Sequence, residues 1–179
     1  MTLGEVYGRQ GKVEDAIAAF NDALQISPDA GIVYYNIGTM HEMAGRMDAA
    51  MDNYKKAVSK MPDHVPSLNN LAYLHAESGK KLDEAVQLAE RAYRASKQEP
   101  AVADTYGWVL YKAGKGTEGM KYIEEAVSKL PQNPSIQYHY GRMLIDKGDK
   151  TKAREALAEA LKVPKFPERK QVEQLLGTL

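Results

Sequence analysis

A chain of 179 residues with 44% hydrophobic and 27% charged positions has the composition of one globular or repeat domain, unlike a membrane-spanning or disordered chain. Its 24 lysines and arginines balance 24 aspartates and glutamates, so no basic field draws phosphate backbones or anionic lipid, and nucleic acid is not an expected partner. With no cysteine there is no disulfide, thiol nucleophile or thiolate metal site, and no apolar run approaches the roughly 18 residues that direct membrane insertion needs.

In chain order, the sequence repeats itself. A small residue inside a helical pattern recurs at Gly4, Gly38, Ala72, Gly107 and Gly141, at spacings of 34, 34, 35 and 34. Seven residues after each comes Gly11, Gly45, Gly79, Gly114 or Gly148, placed to end a helix in a left-handed cap. A second helical stripe then follows: Ala16, Phe20 and Ala23 in the first unit, Ala50, Tyr54 and Ala57 in the next, Ala85, Ala89 and Ala92 in the third. Gly119, Ile123 and Ala126 continue it, then Ala153, Leu157 and Ala160. Pro28, Pro62 and Pro131 each stop their helix. The spacing predicts one domain of five helical hairpins, at about 1–30, 31–64, 65–99, 100–133 and 134–166, followed by a helix over 168–179. That last segment puts Val172, Leu175, Leu176 and Leu179 on one face, as a solvating cap would.

The first unit, "LGEVYGRQGKVEDAIAAFNDALQISPD", resembles the tetratricopeptide repeat in its leucine-glycine, tyrosine, glycine, alanine, phenylalanine, alanine and proline; "YYNIGTMHEMAGRMDAAMDNYKKAVSKMPD" follows with His41 in the tyrosine place. The resemblance covers residues 1 to about 164 and implies an all-α, right-handed superhelix of antiparallel helix pairs with a capping helix. The third unit departs from the pattern. It has one extra residue in "SGKKLDEA", to be absorbed in a turn, and Lys97 stands in the place of the closing proline. The recurring small residue has a packing explanation: Gly107 shares a stripe with Ala103, Tyr106 and Leu110, where two helices approach too closely for a side chain.

One helical step past Gly107, the chain's single tryptophan leaves that stripe. In the family, this face of each first helix lines a concave groove that holds partner segments. The resemblance therefore implies a protein or peptide partner, and a groove built from Tyr35, Asn36, Thr39 and Glu42; Asn69, Asn70, Tyr73 and Glu77; Asp104, Trp108, Tyr111 and Lys112; and Tyr138 and Arg142. Aromatic residues with a polar tip suit recognition surfaces, so Trp108 is expected to project over the groove between Asp104 and Lys112. The alternative is that these aromatics pack against the next repeat. Glu42, Glu77, Asp104 and Asp146 against Lys112 and Arg142 do not match the basic set with which some family members clamp a terminal carboxylate.

No enzyme, metal or cofactor motif competes with this reading. His41 and His75 sit where Tyr7 stands in the first unit and read as core substitutes, His64 lies in a turn, and His139 is placed at the groove edge. No phosphate-binding glycine pattern or zinc-protease histidine pair is present. A second reading is an assembly subunit that self-associates through its first repeat, whose opening helix is short. "LNNLAYLHAESGKKLDEAVQLAERA" resembles bacterial repeat proteins of secretion, envelope or polysaccharide-export systems. No leader pattern occupies residues 1–20, which points to a soluble chain in cytoplasm or periplasm, or to a piece of a longer repeat protein.

Overall fold

A computed structural model describes residues 2–179; Met1, at the start of the first hairpin, lies outside the described residues. The described residues form eleven α-helices: α1 (Leu3–Arg9), α2 (Val13–Ile26), α3 (Gly31–Met43), α4 (Met47–Lys60), α5 (Val65–Ser78), α6 (Leu82–Ala95), α7 (Pro100–Lys112), α8 (Gly116–Lys129), α9 (Pro134–Lys147), α10 (Lys150–Leu161) and α11 (Arg169–Thr178). Each odd helix up to α9 pairs with the even helix that follows it, and each pair packs on the next to give a solenoid. Pro100 and Pro134 open α7 and α9, where a missing N–H costs nothing.

The turn glycines at 11, 45, 79, 114 and 148 all have positive φ, between 66° and 87°. The extra residue of the third hairpin is taken up by Lys81, which adopts the left-handed conformation just before α6 (φ 54°). Beyond α6, where the closing proline is missing, Lys97 and Gln98 are also left-handed (φ 55° and 66°) and turn the chain without it. A non-glycine residue there costs on the order of 1–2 kcal/mol, so α6 is held in place by its packing and not by its termini. Ala85, Leu88, Ala89 and Ala92 supply that packing against α5 and α7.

The recurring small residues lie where the two helices of a pair cross. A Cβ on Gly107 would lie 2.7 Å from the carbonyl oxygen of Gly119 and 2.8 Å from Ile123, and one on Gly119 would lie 2.4 Å from the Gly107 carbonyl. Two backbones touch at that crossing. In the second pair a Cβ on Gly38 would lie 2.6 Å from the Tyr54 ring. Tyr54 is fully buried, and its hydroxyl donates to Glu42 (2.6 Å) while accepting from Asn70 (3.2 Å), so its polar tip is satisfied inside the core.

Helix α11 packs on α10 through Val172, which is fully buried with Leu157 and Ala160. Glu168 accepts a hydrogen bond from Ser135 (2.9 Å), and Arg169 donates to the carbonyls of Leu161 and Val163, which fixes where α11 starts. No helix among the described residues is long and apolar enough to cross a membrane.

Candidate functional site: the concave groove of the fourth and fifth pairs

Helix α7 is surrounded by α5, α6, α8 and α9, and every residue from Val102 to Leu110 is buried. This overturns the expected exposure of Trp108, which is 4% exposed. Its indole stacks on the His139 imidazole (centroids 4.2 Å apart, planes 19° apart), with the Tyr111 and Tyr138 rings at 5.0 and 5.9 Å. The indole N–H donates to Glu77 (2.8 Å), and the Lys112 ammonium, 3.4 Å from Glu77, sits over the ring. Leaving the packed stripe by one helical step does not expose the residue, because α9 stands on that side too.

Asp104 is a second correction. It is 6% exposed, and His139 Nδ1–H donates to both of its carboxylate oxygens at 2.9 Å. The pair fixes the plane of the imidazole on which Trp108 lies. His139 is likewise buried and not at an edge, and its Nε2 is enclosed without a partner among the described residues. Glu42 and Asn70 serve the Tyr54 hydroxyl instead of facing open groove.

The remaining expected residues fall into two hollows. Asn36 and Thr39 line the first with Glu5, Arg9 and Met43, around about 380 Å³. The second is about 410 Å³ and brings together Glu77, Trp108, Tyr111, Lys112, Tyr138 and Arg142. Between them Tyr35 lies against Tyr54 and His64, Asn69 is half-buried, and Tyr73 leans toward His139. Burial raises the pKa of the Tyr73, Tyr138 and Tyr111 hydroxyls, so all three stay protonated donors. Tyr111 donates to Asp146 and accepts from Arg142 Nε (3.3 Å), and that bond holds the guanidinium at the mouth of the second hollow.

The sequence reading missed one wall. Gln171, Gln174, Leu175 and Thr178 of α11 close the second hollow opposite α7 and α9. Leu175 belongs to the apolar stripe of α11, while Gln171, Gln174 and Thr178 recur at helical spacing beside it, and the absence of charge among those three was the available signal. No group of three or more histidines, aspartates and glutamates that could hold a metal occurs among the described residues.

The comparisons with known proteins agree with this architecture. Residues 1–63 match the family model described as tetratricopeptide repeat, and residues 78–160 match the one described as anaphase-promoting complex, cyclosome, subunit 3. The chain is a tetratricopeptide-repeat protein. It is 24% identical over 119 residues to TPR repeat-containing protein PA4667 of Pseudomonas aeruginosa, a match that takes 66% of this chain but only 20% of that protein, so the repeats here span about a fifth of the relative. Among solved structures, that of MamA superposes with a TM-score of 0.74 at 18% identity, covering 90% of this chain and 94% of the other. YrrB, described as a TPR protein with an unusual peptide-binding site, superposes with a TM-score of 0.71 at 19% identity, over 90% and 82% of the two chains. At such identities the likeness is one of fold.

Proposed function

We propose that this tetratricopeptide-repeat protein is an interaction scaffold that holds a segment of a partner protein in its concave groove, chiefly in the hollow between α7, α9 and α11. Repeat proteins of this family bind protein or peptide partners and are in general not enzymes. One observation carries the reading: a cavity of about 410 Å³ on the concave face, with aromatic walls and two cationic side chains at its mouth. Apolar walls with a few converging polar groups are the usual make-up of a binding cleft. Trp108 forms the wall from within, while Tyr111, Lys112, Tyr138 and Arg142 offer reachable atoms. The test is capture from the source organism with the intact chain beside a Lys112→Glu/Arg142→Glu chain of equal helicity. A partner held by the first and lost by the second is expected; equal capture by both would remove the groove from the account.

A second reading, self-association through the first repeat, has its own observation. Leu3 is 61% exposed, whereas Ile37 and Leu71, at the same place in the next two pairs, are 3% and 2% exposed because the preceding pair covers them. A second copy meeting this face would cover it in the same way. Light scattering over a concentration series tests this: a dimer that Leu3→Ser dissolves is the expected result, and a monomer throughout would discard the reading.

A further inference from the structure

Three departures from the repeat pattern meet at one hollow of about 330 Å³, bounded by α4, α5 and the turn into α6. The first is the extra residue of "SGKKLDEA", which puts Lys80 and Lys81 in the wall. The second is the left-handed backbone of Lys81, a conformation that a non-glycine residue keeps only where its surroundings hold it. The third is His75, which lines the hollow at the place that Leu110 and Leu144 take in the next two pairs. Its side chain is 7% exposed, and its Nε2 has no hydrogen-bond partner among the described residues. Glu84 stands 3.9 Å from that nitrogen, out of hydrogen-bonding range, and is held instead by Lys81 at 3.1 Å. Buried polar atoms are nearly always paired, so this one asks for a partner.

The free charges of the hollow give the partner's chemistry. Asp48 and Asp52, one turn apart on α4, line it together with Lys55 and Lys80, and none of the four is in an ion pair among the described residues. The charges that act on the imidazole are those of Glu84, Lys81 and Lys55, so Asp48 and Asp52 stand farther off. The hollow thus has an anionic end over the first turns of α4 and a cationic end toward His75, with Met51 and Leu71 as apolar lining. A simple anion or cation satisfies one end and leaves the other bare. A volume of about 330 Å³ is at the small end of ligand sites.

We infer that this hollow binds a small zwitterion of the free α-amino acid class, its ammonium set on Asp48 and Asp52 and its carboxylate on Lys55, Lys80 and the Nε2–H of His75. The site shares no residue with the two concave hollows and does not depend on the groove reading.

The experiment is an NMR titration of the full chain, ¹⁵N-labelled at its 4 histidines, with each of the common amino acids in turn. The His75 signals are assigned by their loss in His75→Leu. At least one amino acid is expected to shift them saturably, and its N-acetyl and carboxamide forms, each short of one charge, should bind about tenfold or more weakly. Asp48→Asn/Asp52→Asn should erase the advantage of the free amino acid over its N-acetyl form. Lys55→Gln/Lys80→Gln should erase its advantage over the carboxamide. All four side chains are exposed, so neither double variant should shift the melting temperature. An N-acetyl form that binds as well as the free amino acid would make this an anion site, and an equal carboxamide would make it a cation site; either overturns the zwitterion. His75 signals that no amino acid moves, or that move equally in both double variants, would remove the site altogether.

Discussion

Helices α1 and α7 are the same element of the repeat, yet α1 buries only Gly4 while α7 buries nine consecutive residues. α1 has seven residues and α7 thirteen, but length alone does not explain why only one residue of α1 is buried. Both place a glycine on the packed face directly after an apolar or aromatic residue, Leu3 and Tyr106 being equivalent. The difference is in the neighbours: α1 packs against its own partner α2, whereas α7 is enclosed by α5, α6, α8 and α9. In a solenoid, burial belongs to the position in the stack as much as to the residue.

The comparison is broken most directly by truncating the residue that α7 has enclosed. Trp108→Ala leaves a cavity against His139, Tyr111 and Tyr138 and removes the N–H that Glu77 accepts, so a loss of about 3–5 kcal/mol in urea unfolding is expected. The counterpart at the other end, Leu3→Ala, should change stability by less than about 0.5 kcal/mol. Next in size is the pair of glycines. Gly107→Ala pushes a methyl group against the Gly119 carbonyl, a backbone atom that cannot yield, and should cost about 1–3 kcal/mol. Gly4→Ala meets the Phe20 ring first, a side chain and not a backbone atom, and should cost less because a side chain can shift where a backbone carbonyl cannot. Equal melting shifts for the two would contradict the contrast.

A smaller effect concerns His75, which occupies the place of Leu110 and Leu144 and whose Nε2 has no hydrogen-bond partner. Burial holds its pKa below the ordinary value of about 6.5, against the opposing pull of Glu84. The unfolded chain then takes up the proton first as pH falls below about 6.5, so stability is present above that pH and is lost on acidification toward the lower folded value. His75→Leu should raise stability by about 1 kcal/mol at neutral pH and flatten this part of the pH profile. An unchanged slope would place the acid sensitivity elsewhere, with His41 and His64, whose pKa values burial also lowers, as the remaining groups.

These contrasts mark what was legible in the sequence. The spacings of 34 and 35, the turn glycines and the packing glycines gave the hairpins, and the stripe of Val172, Leu175, Leu176 and Leu179 gave α11. Helical periodicity also predicted which side of α7 Trp108 leaves by. It could not say what stands there, because that depends on Asp104 and His139, 35 residues apart on different repeats, meeting in three dimensions. Glu77 to Trp108 and Tyr111 to Arg142, each separated by 31 residues, show the register in which groove residues of adjacent repeats meet. Looking for complementary residues at that separation would have paired them, and would have shown Trp108 held on both sides instead of free. The inner stripe of α11 was hidden for a different reason: a helix after the last repeat has no counterpart in the pattern from which its position could be read.

The central claim is that the stack, not the helix, decides what the groove exposes, and the single tryptophan reports on it alone. Acrylamide quenching of Trp108 in the free, folded chain is the direct measurement. A blue-shifted emission with quenching several-fold weaker than in the guanidinium-unfolded chain is the predicted result, as for an indole stacked on His139 and bonded to Glu77. A solvent-like emission quenched as readily as in the unfolded chain would contradict it, and would return Trp108 to the surface of the groove.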